Sequence, residues 1–166
     1  MSAASKAIRI VPAASVSEID AARQLIHEYG VSLGIDLSFQ NFEAELEKLP
    51  GDYAPPRGAL LLARQAKNFI GCIGLRPLAD GVCEMKRLYV RPQWRGQGIG
   101  QRLIEAVLAA ACRRGYRAMR LDTLPSMTAA RALYQSLGFR PIAPYYESPI
   151  AGTAFFELDL TAGQSE

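Results

Sequence analysis

The chain has 166 residues, which suits one domain spanning 1–166 and leaves little room for two. Its apolar fraction of 49% and charged fraction of 21% are typical of soluble globular proteins. No apolar run approaches the roughly eighteen residues of a membrane span, so we expect no membrane partner. The net charge of +3 is low for a nucleic-acid-binding domain and argues against nucleic acid as a partner.

Hydrophobic periodicity predicts strands and helices along the whole chain. In chain order we expect a strand over residues 7–13, helices over 16–33 and 38–49, strands over 58–65, 68–78 and 81–90, a helix over 99–114, a strand over 117–123, a helix over 126–139 and a strand over 153–160. Strands alternate with helices only in the second half. This order indicates an α/β (α+β) fold with a mixed sheet covered by helices on both faces.

Several local signals set the expected helix ends. Ser15 followed by Glu18 has the spacing of a capping box, and Ser126 is expected to cap the last helix. Gly115 and Gly138 suit positions just past helix ends. The acidic residues of the second helix are interpreted as a solvated face: Glu43, Glu45 and Glu47.

The stretch VRPQWRGQGIGQRL, residues 90–103, joins a predicted strand to a predicted helix through three glycines. Backbone N–H groups at a helix start are unpaired and partly positive, and glycines let an anion approach them closely. Arg95 and Arg102 add full charges. Residues 86–140 carry eleven basic residues against two acidic ones, which indicates an anionic partner. We therefore predict a cradle for a pyrophosphate.

Two other phosphate-binding motifs fit this stretch poorly. A dinucleotide fingerprint that began at Gly96 and Gly98 would need a third glycine at position 101, which is Gln101. A Walker loop needs a Gly-Lys-Ser/Thr ending, which this stretch lacks. A glycine-rich turn that binds no ligand is the remaining alternative.

The sequence contains two motifs that resemble, in kind and in order along the chain, those of the GNAT superfamily of acetyl-CoA-dependent N-acyltransferases. RGQGIG matches the family's pyrophosphate loop at Arg95, Gly98 and Gly100, and CEMKRLYVRP is similar to its central strand. Forty residues later, ARALYQSLGF is similar to the family's Ala-x-x-Tyr-x-x-x-Gly-Phe helix end. The resemblance implies a GNAT fold with a mostly antiparallel sheet of about six to seven strands. It also implies acetyl-CoA as acyl-donor cosubstrate, with no metal.

The resemblance assigns the cofactor contacts residue by residue. The backbone of the central strand would pair with the pantetheine arm as though the cofactor were another strand, at Leu88, Tyr89 and Val90. Backbone N–H groups of the loop would hold the pyrophosphate. The loop residues so assigned are Arg95, Gly96, Gln97, Gly98, Ile99 and Gly100, with Gln101 contributing.

Tyr134 is the tyrosine of the second motif, which the resemblance implies as proton donor to the departing thiolate of coenzyme A. A phenol with a pKa of about 10 can donate to such a thiolate as it forms. Glu84 matches the family's frequent glutamate position and is expected as general base, directly or through water. Asp122 is the alternative base. Glu84 could otherwise be a structural carboxylate paired with Lys86 or Arg87.

One position departs from the family pattern, because Met127 stands where many members have asparagine. An orienting hydrogen bond there is either lost or supplied by Ser126 or Thr128. Because of this departure, a non-catalytic acyl-CoA-binding or regulatory module on the same fold remains the alternative function. Tyr145 and Tyr146 either shape the acceptor site or pack a loop.

The acceptor is expected to be an amine on a small molecule or peptide, attacked directly in a ternary complex, and a homodimer stays open because family members often form one. Cys72, Cys83 and Cys112 lack CxxC spacing, which argues against a disulfide framework or a zinc site. Together with the absence of a secretory signal in MSAASKAIRI, this predicts a cytoplasmic protein. Cys83 has no evident base partner for acyl-enzyme chemistry.

Overall fold

A computed structural model describes residues 7–161, except the side chain of Phe39. The strands are β1 (Ile8–Pro12), β2 (Ala59–Gln65), β3 (Asn68–Ala79), β4 (Val82–Val90), β5 (Ala118–Thr123), β6 (Arg140–Ile142) and β7 (Ala154–Asp159). The helices are α1 (Val16–Leu33), α2 (Phe42–Lys48), α3 (Ile99–Arg113) and α4 (Thr128–Ser136). Short 3-10 turns lie at Ser38–Gln40, Gly51–Tyr53 and Pro92–Trp94.

The seven strands form one sheet in the order β1-β2-β3-β4-β5-β7-β6. Within the described residues, β4 and β5 are the one parallel pair, and every other neighbouring pair is antiparallel. A parallel pair needs a long crossover, which α3 supplies between β4 and β5. The crossover therefore brings the glycine-rich turn to the centre of the sheet.

Helices cover both faces of the sheet with separate apolar clusters. One face packs α3 against the sheet through the buried residues Ile99, Leu103, Ile104, Val107, Ala110 and Ala111, and α4 adds Tyr134. The other face packs α1 and α2 against the sheet through Ala22, Leu25, Ile26, Phe42 and Leu46. This arrangement confirms the predicted mixed sheet with helices on both faces.

The elements agree with the sequence pattern best where local chemistry is strong. Ser15 and Glu18 form the predicted capping box at the start of α1. The N-cap of α3 is Gly98, and Gly115 follows the helix with φ +82°. The hairpin of β2 and β3 is also present.

Three details of the sequence prediction were wrong. The helix expected over 38–49 is split, because Asn41 takes φ +56° between a 3-10 turn and α2. Ser126 does not cap α4, whose N-cap is Met127 without a side-chain hydrogen bond. Strand β6 was missed, since its three residues are too short to show a period.

Candidate active site

The central feature of the site is the divergence of β4 from β5. The two strands pair only where Val82–Glu84 lie beside Ala118–Arg120. Beyond Glu84, β4 continues to Val90 with no pairing to β5, so its edge is left open on that side. A bulge at Arg87, which has φ +63°, shifts the register of β4 against β3 in this segment. Bulges bend a strand and re-aim its side chains.

The turn between β4 and α3 lies at the mouth of this opening. Gly96 and Gly98 have φ +81° and +77°, which favour glycine for conformational reasons. The φ of Gly100 is not in the positive range that favours glycine. A Cβ built at this position would meet no protein atom within 4 Å. Among the described residues no side chain caps the start of α3, which leaves its first backbone N–H groups without a capping acceptor. The turn has the features of an anion-binding site.

A cleft of about 720 Å³ runs from this turn along β4 to the start of α4. Its walls include nine of the ten residues predicted to bind the cofactor: Leu88, Tyr89, Val90, Arg95, Gly96, Gly98, Ile99, Gly100 and Gln101. Gln97 is exposed and is not among the lining residues of this cleft in the part of the chain described. Helix α4 also contributes to the lining of the cleft, through Thr128, Ala129, Ala130 and Leu133.

Two side chains modify the expected cofactor contacts. Arg95 donates from Nε to the carbonyl oxygen of Val90 at 2.8 Å, and its guanidinium lies 5.7 Å from the ring centre of Tyr89. Gln101 donates to Glu105 at 3.0 Å across one turn of α3. A cofactor that paired with the carbonyl of Val90 would therefore displace the Arg95 side chain.

The inner end of the cleft meets a small cavity of about 20 Å³, enough for about one water molecule. The cleft and the cavity share the lining residues Tyr29, Leu88 and Met127. The remaining lining residues of the cavity are Leu37, Gln40, Met85, Lys86, Arg87, Asp122, Leu124 and Tyr134. The predicted proton donor, Tyr134, and the open edge of β4 are thus brought together.

Tyr134 lies on α4 and is 4% exposed. Its ring packs edge-on against Phe139 at a centroid distance of 5.8 Å. Burial raises the pKa of the Tyr134 hydroxyl, and the negative charge of Asp122 acts in the same direction. The phenol therefore stays protonated at neutral pH and is able to donate.

Glu84 is buried and held from two sides. Its Oε1 accepts a hydrogen bond from Nε of Arg76 at 2.9 Å and lies 2.9 Å from Nη2 of the same guanidinium as an ion pair, and its Oε2 accepts a hydrogen bond from the hydroxyl of Tyr145 at 2.6 Å. The alternative partners expected from the sequence, Lys86 and Arg87, are wrong, since the partner comes from β3. Glu84 is not among the described residues that line either the cleft or the small cavity.

Asp122 at the end of β5 lines the small cavity. Its Oδ1 lies 3.2 Å from Nζ of Lys86, and its Oδ2 accepts a short hydrogen bond from the hydroxyl of Tyr146. Burial alone would raise the pKa of Asp122, but Lys86 and the Tyr146 hydrogen bond outweigh it, so the pKa is lowered. Tyr145 and Tyr146 therefore hold the two candidate bases, one each.

The predicted solvated face of α2 was wrong for one residue. Glu45 turns inward and accepts two hydrogen bonds from Arg87, at 2.8 and 3.0 Å, with its side chain 11% exposed. The 1%-exposed Arg87 also donates to Gln40 at 2.7 Å. Burying Arg87 requires a carboxylate partner, which explains why this acid leaves the solvent. Glu43 and Glu47 are exposed as expected.

Sequence reasoning considered Lys86 only as a structural partner of Glu84 and gave no role to Arg76 or Tyr29. Lys86 is two residues beyond Glu84 on β4, and strand alternation puts both on one face. This two-residue period was the sequence signal that could have linked Lys86 to Glu84. Arg76 and Tyr29 come from β3 and α1, and nothing local to them marks their place in the site.

Cys83 does not offer a nucleophile. Its thiol is fully buried and donates weakly to the carbonyl oxygen of Ala118 at 3.5 Å. Burial raises the pKa of Cys83 to about 12, so the reactive thiolate is scarce at neutral pH. Across residues 7–161 no three His, Cys, Asp or Glu side chains cluster as metal ligands would, and no helix combines the length and apolarity of a membrane span.

Comparison with known proteins identifies the family. The chain matches the family model described as Acetyltransferase (GNAT) family over residues 21–139. An uncharacterized N-acetyltransferase of Schizosaccharomyces pombe is 38% identical over 146 residues, covering 87% of this chain and 90% of that protein. The fold and the match define an acyltransferase, and the chain belongs to the GNAT family of N-acetyltransferases.

Solved structures show the same fold. A GNAT-family acetyltransferase from Staphylococcus aureus Mu50 superposes with a TM-score of 0.77 and 23% identity, covering 93% of this chain and 99% of that one. The PaiA N-acetyltransferase from Thermoplasma acidophilum, solved in complex with coenzyme A, superposes with a TM-score of 0.70 and 18% identity. The superposition covers 92% of this chain and 99% of the PaiA chain.

Proposed function

We propose that this protein transfers the acetyl group of acetyl-CoA to an amine nitrogen by direct attack in a ternary complex. The observation that carries the proposal is the junction of the 720 Å³ cleft with the small cavity that Tyr134 lines. A long phosphorylated cofactor in the cleft would present its thioester end at this junction. The acceptor would approach from the cavity side, where Asp122 and Lys86 lie.

The pyrophosphate would bind the turn before α3. The helix start without a side-chain cap, two glycines with positive φ and the clear space at Gly100 support this assignment. The partial positive charge of the 15-residue helix α3 favours an anion at its start. The relative solved with coenzyme A supports the choice of ligand.

The pantetheine arm would run along the open edge of β4 at Leu88, Tyr89 and Val90. Strand addition of this kind is supported by the loss of β4–β5 pairing beyond Glu84. The acyl carbonyl would be polarised by a backbone N–H of β4. Holding donor and acceptor together would supply most of the acceleration, with electrostatic preorganisation.

Tyr134 would donate a proton to the thiolate of coenzyme A as the C–S bond breaks. Its hydroxyl makes no hydrogen bond to another described residue, so the proton is not committed to a protein acceptor. The general base assigned from the resemblance is Glu84. Its contacts with Arg76 and Tyr145 leave it little room to reach an amine without a water.

The test has two stages on the purified full chain. Calorimetry with acetyl-CoA should give saturable binding, and Gly98→Ala should weaken it. A thiol assay should then detect coenzyme A released in the presence of a panel of amines, above the hydrolysis background. Saturable binding without amine-dependent release would indicate the non-catalytic acyl-CoA-binding module instead. No saturable binding at millimolar acetyl-CoA contradicts both.

A further inference from the structure

Lys86 is a buried basic side chain in the site that the mechanism above does not use. Its side chain is 5% exposed, and its Nζ lies 3.2 Å from Oδ1 of Asp122 and 3.4 Å from Oε1 of Gln40. It lines the same small cavity as Tyr134, at the inner end of the cleft. Burying a lysine costs free energy even when it is paired, so its position calls for a function.

Two carboxylates of the site are poorly suited to take up the acceptor's proton. Glu84 is saturated by Arg76 and Tyr145 and does not line the cavity in the part of the chain described. Asp122 lines it, but both of its oxygens already accept hydrogen bonds. Its lowered pKa makes it a weak proton acceptor.

Resting on the proposed function, we propose that the ε-amino group of Lys86, rather than Glu84, accepts the proton of the acceptor amine, and that Asp122 stabilises the ammonium that forms. An amine nitrogen that attacks a thioester held beside Leu88 would lie next to the cavity that Lys86 lines, because Leu88 lines the same cavity. Lysines are suited to this role when burial favours their neutral form.

The surroundings of Lys86 come from every neighbouring element. Charged and titratable groups that line its cavity or influence its charge are Asp122 on β5, Glu84 and Arg87 on β4, Arg76 on β3, Tyr29 on α1 and Tyr134 on α4. Burial lowers the pKa of Lys86, and Arg87 and Arg76 act in the same direction, against Asp122 and Glu84. The balance favours deprotonation below the usual range for lysine, near 10.4.

The proton balance is complete without a further reactant. Neutral Lys86 takes one proton from the acceptor ammonium, and the freed lone pair attacks the thioester carbonyl carbon. The C–N bond forms, the C–S bond breaks, and Tyr134 gives its proton to the sulfur. The attacking nitrogen then carries one proton more than the amide needs, and this proton returns to the oxygen of Tyr134. Lys86 releases its proton to solvent after the amide and coenzyme A depart.

The first experiment reads Lys86 directly. An NMR titration of ¹³Cε-labelled lysines in the full chain should show one resonance that titrates below the exposed lysines and is absent from Lys86→Met. In Asp122→Asn this resonance should titrate at still lower pH, because a negative charge that favours the ammonium is gone. A Lys86 resonance that titrates with or above the exposed lysines overturns the proposal.

The second experiment reads the reaction, with an amine that the thiol assay has found to be accepted. Lys86→Arg keeps the positive charge beside Asp122 but cannot give up its proton, so kcat should fall by about 100-fold or more. Calorimetry should show that acetyl-CoA still binds. Lys67→Arg, in the exposed turn between β2 and β3, is the matched control and should leave kcat unchanged.

The pH profile separates the candidate bases. In the wild type, kcat/KM should rise with pH through the pKa of Lys86, and Asp122→Asn should move this limb to lower pH. The limb of the kcat/KM profile that comes from ionisation of the acceptor itself should lie at the same pH in the wild type and in Asp122→Asn. If Asp122 were the base, Asp122→Asn would abolish its limb and cost about 100-fold. Full activity in Lys86→Arg would overturn the role of Lys86 and leave the proposed function intact. A wild type that releases no coenzyme A would instead contradict the proposed function itself.

Discussion

The hydroxyl of Tyr145 donates a 2.6 Å hydrogen bond to Oε2 of Glu84, linking two residues 61 positions apart in the sequence. This bond anchors the segment between β6 and β7 to the central strand. The adjacent Tyr146 makes the equivalent bond to Asp122, and the rings of both tyrosines pack edge-on against Phe155 at 5.1 Å. The loop is therefore fixed to both candidate bases.

Tyr145→Phe should lower the free energy of unfolding by about 1.5–3 kcal/mol, the contribution of a buried hydrogen bond to a charged group. The loss arises because one oxygen of the buried Glu84 carboxylate is left without its donor. Urea unfolding at neutral pH measures it. Ser136→Ala on the exposed side of α4 serves as a surface control and should change the value by less than about 0.5 kcal/mol. An unchanged midpoint in Tyr145→Phe would contradict this contribution.

Tyr134→Phe should lower kcat by about 10²–10⁴-fold, the usual range for a lost general acid. Its affinity for acetyl-CoA should stay roughly constant, because the phenol acts on the thiolate that forms in the reaction. Thiol-release kinetics and calorimetry measure the two quantities on the same preparation. Unchanged turnover would remove Tyr134 from the mechanism.

Gly100→Ala should separate folding from binding. A Cβ at this position meets no protein atom, and alanine is favoured over glycine within a helix, so stability should stay equal or rise by up to about 1 kcal/mol. Acetyl-CoA affinity should fall at least tenfold, about 1.4 kcal/mol, because the Cβ enters the space assigned to the pyrophosphate.

Gly98→Ala is the comparison for this variant, since its φ of +77° also strains an alanine. It should lose both stability and affinity. Thermal unfolding with and without acetyl-CoA distinguishes the two variants. Wild-type affinity in Gly100→Ala would show that the phosphates lie elsewhere.

Glu45→Gln should destabilise the fold by about 3 kcal/mol at neutral pH, because it leaves the buried guanidinium of Arg87 without its charged partner. Burial opposes ionisation of Glu45, but the hydrogen bonds and charge of Arg87 outweigh it, so its pKa is lowered in the fold. The stabilisation is therefore complete above the unfolded-state pKa of about 4.3 and is lost as pH falls through the folded-state value.

Stability measured from pH 7 down to pH 2 should accordingly show the gap between wild type and Glu45→Gln closing in acid. Glu43→Gln, exposed on the same helix, is the matched control and should stay within about 0.5 kcal/mol of the wild type throughout. A gap that is constant with pH would mean that the ion pair does not supply the stabilisation.

Short-range chemistry in the sequence determined much of the fold and one wall of the site. The capping box of Ser15 and Glu18, the hairpin of β2 and β3 and the helix start at Gly98 each depend on neighbouring residues, so a local pattern was sufficient. The turn before α3 and Tyr134 on α4 were identified in the same way, from motifs only a few residues long.

Only the tertiary structure decided the charge pairing. Glu84 meets Arg76 and Tyr145, Glu45 turns inward to Arg87, and Lys86 meets Asp122 across the divergent strands. These partners lie 8 to 61 residues apart, and no periodicity marks them. A buried charge takes whichever opposite charge the packed sheet brings within reach, because leaving it unpaired costs several kcal/mol. The sheet order and the bulge at Arg87 make that choice, and both arise only when the whole chain has folded.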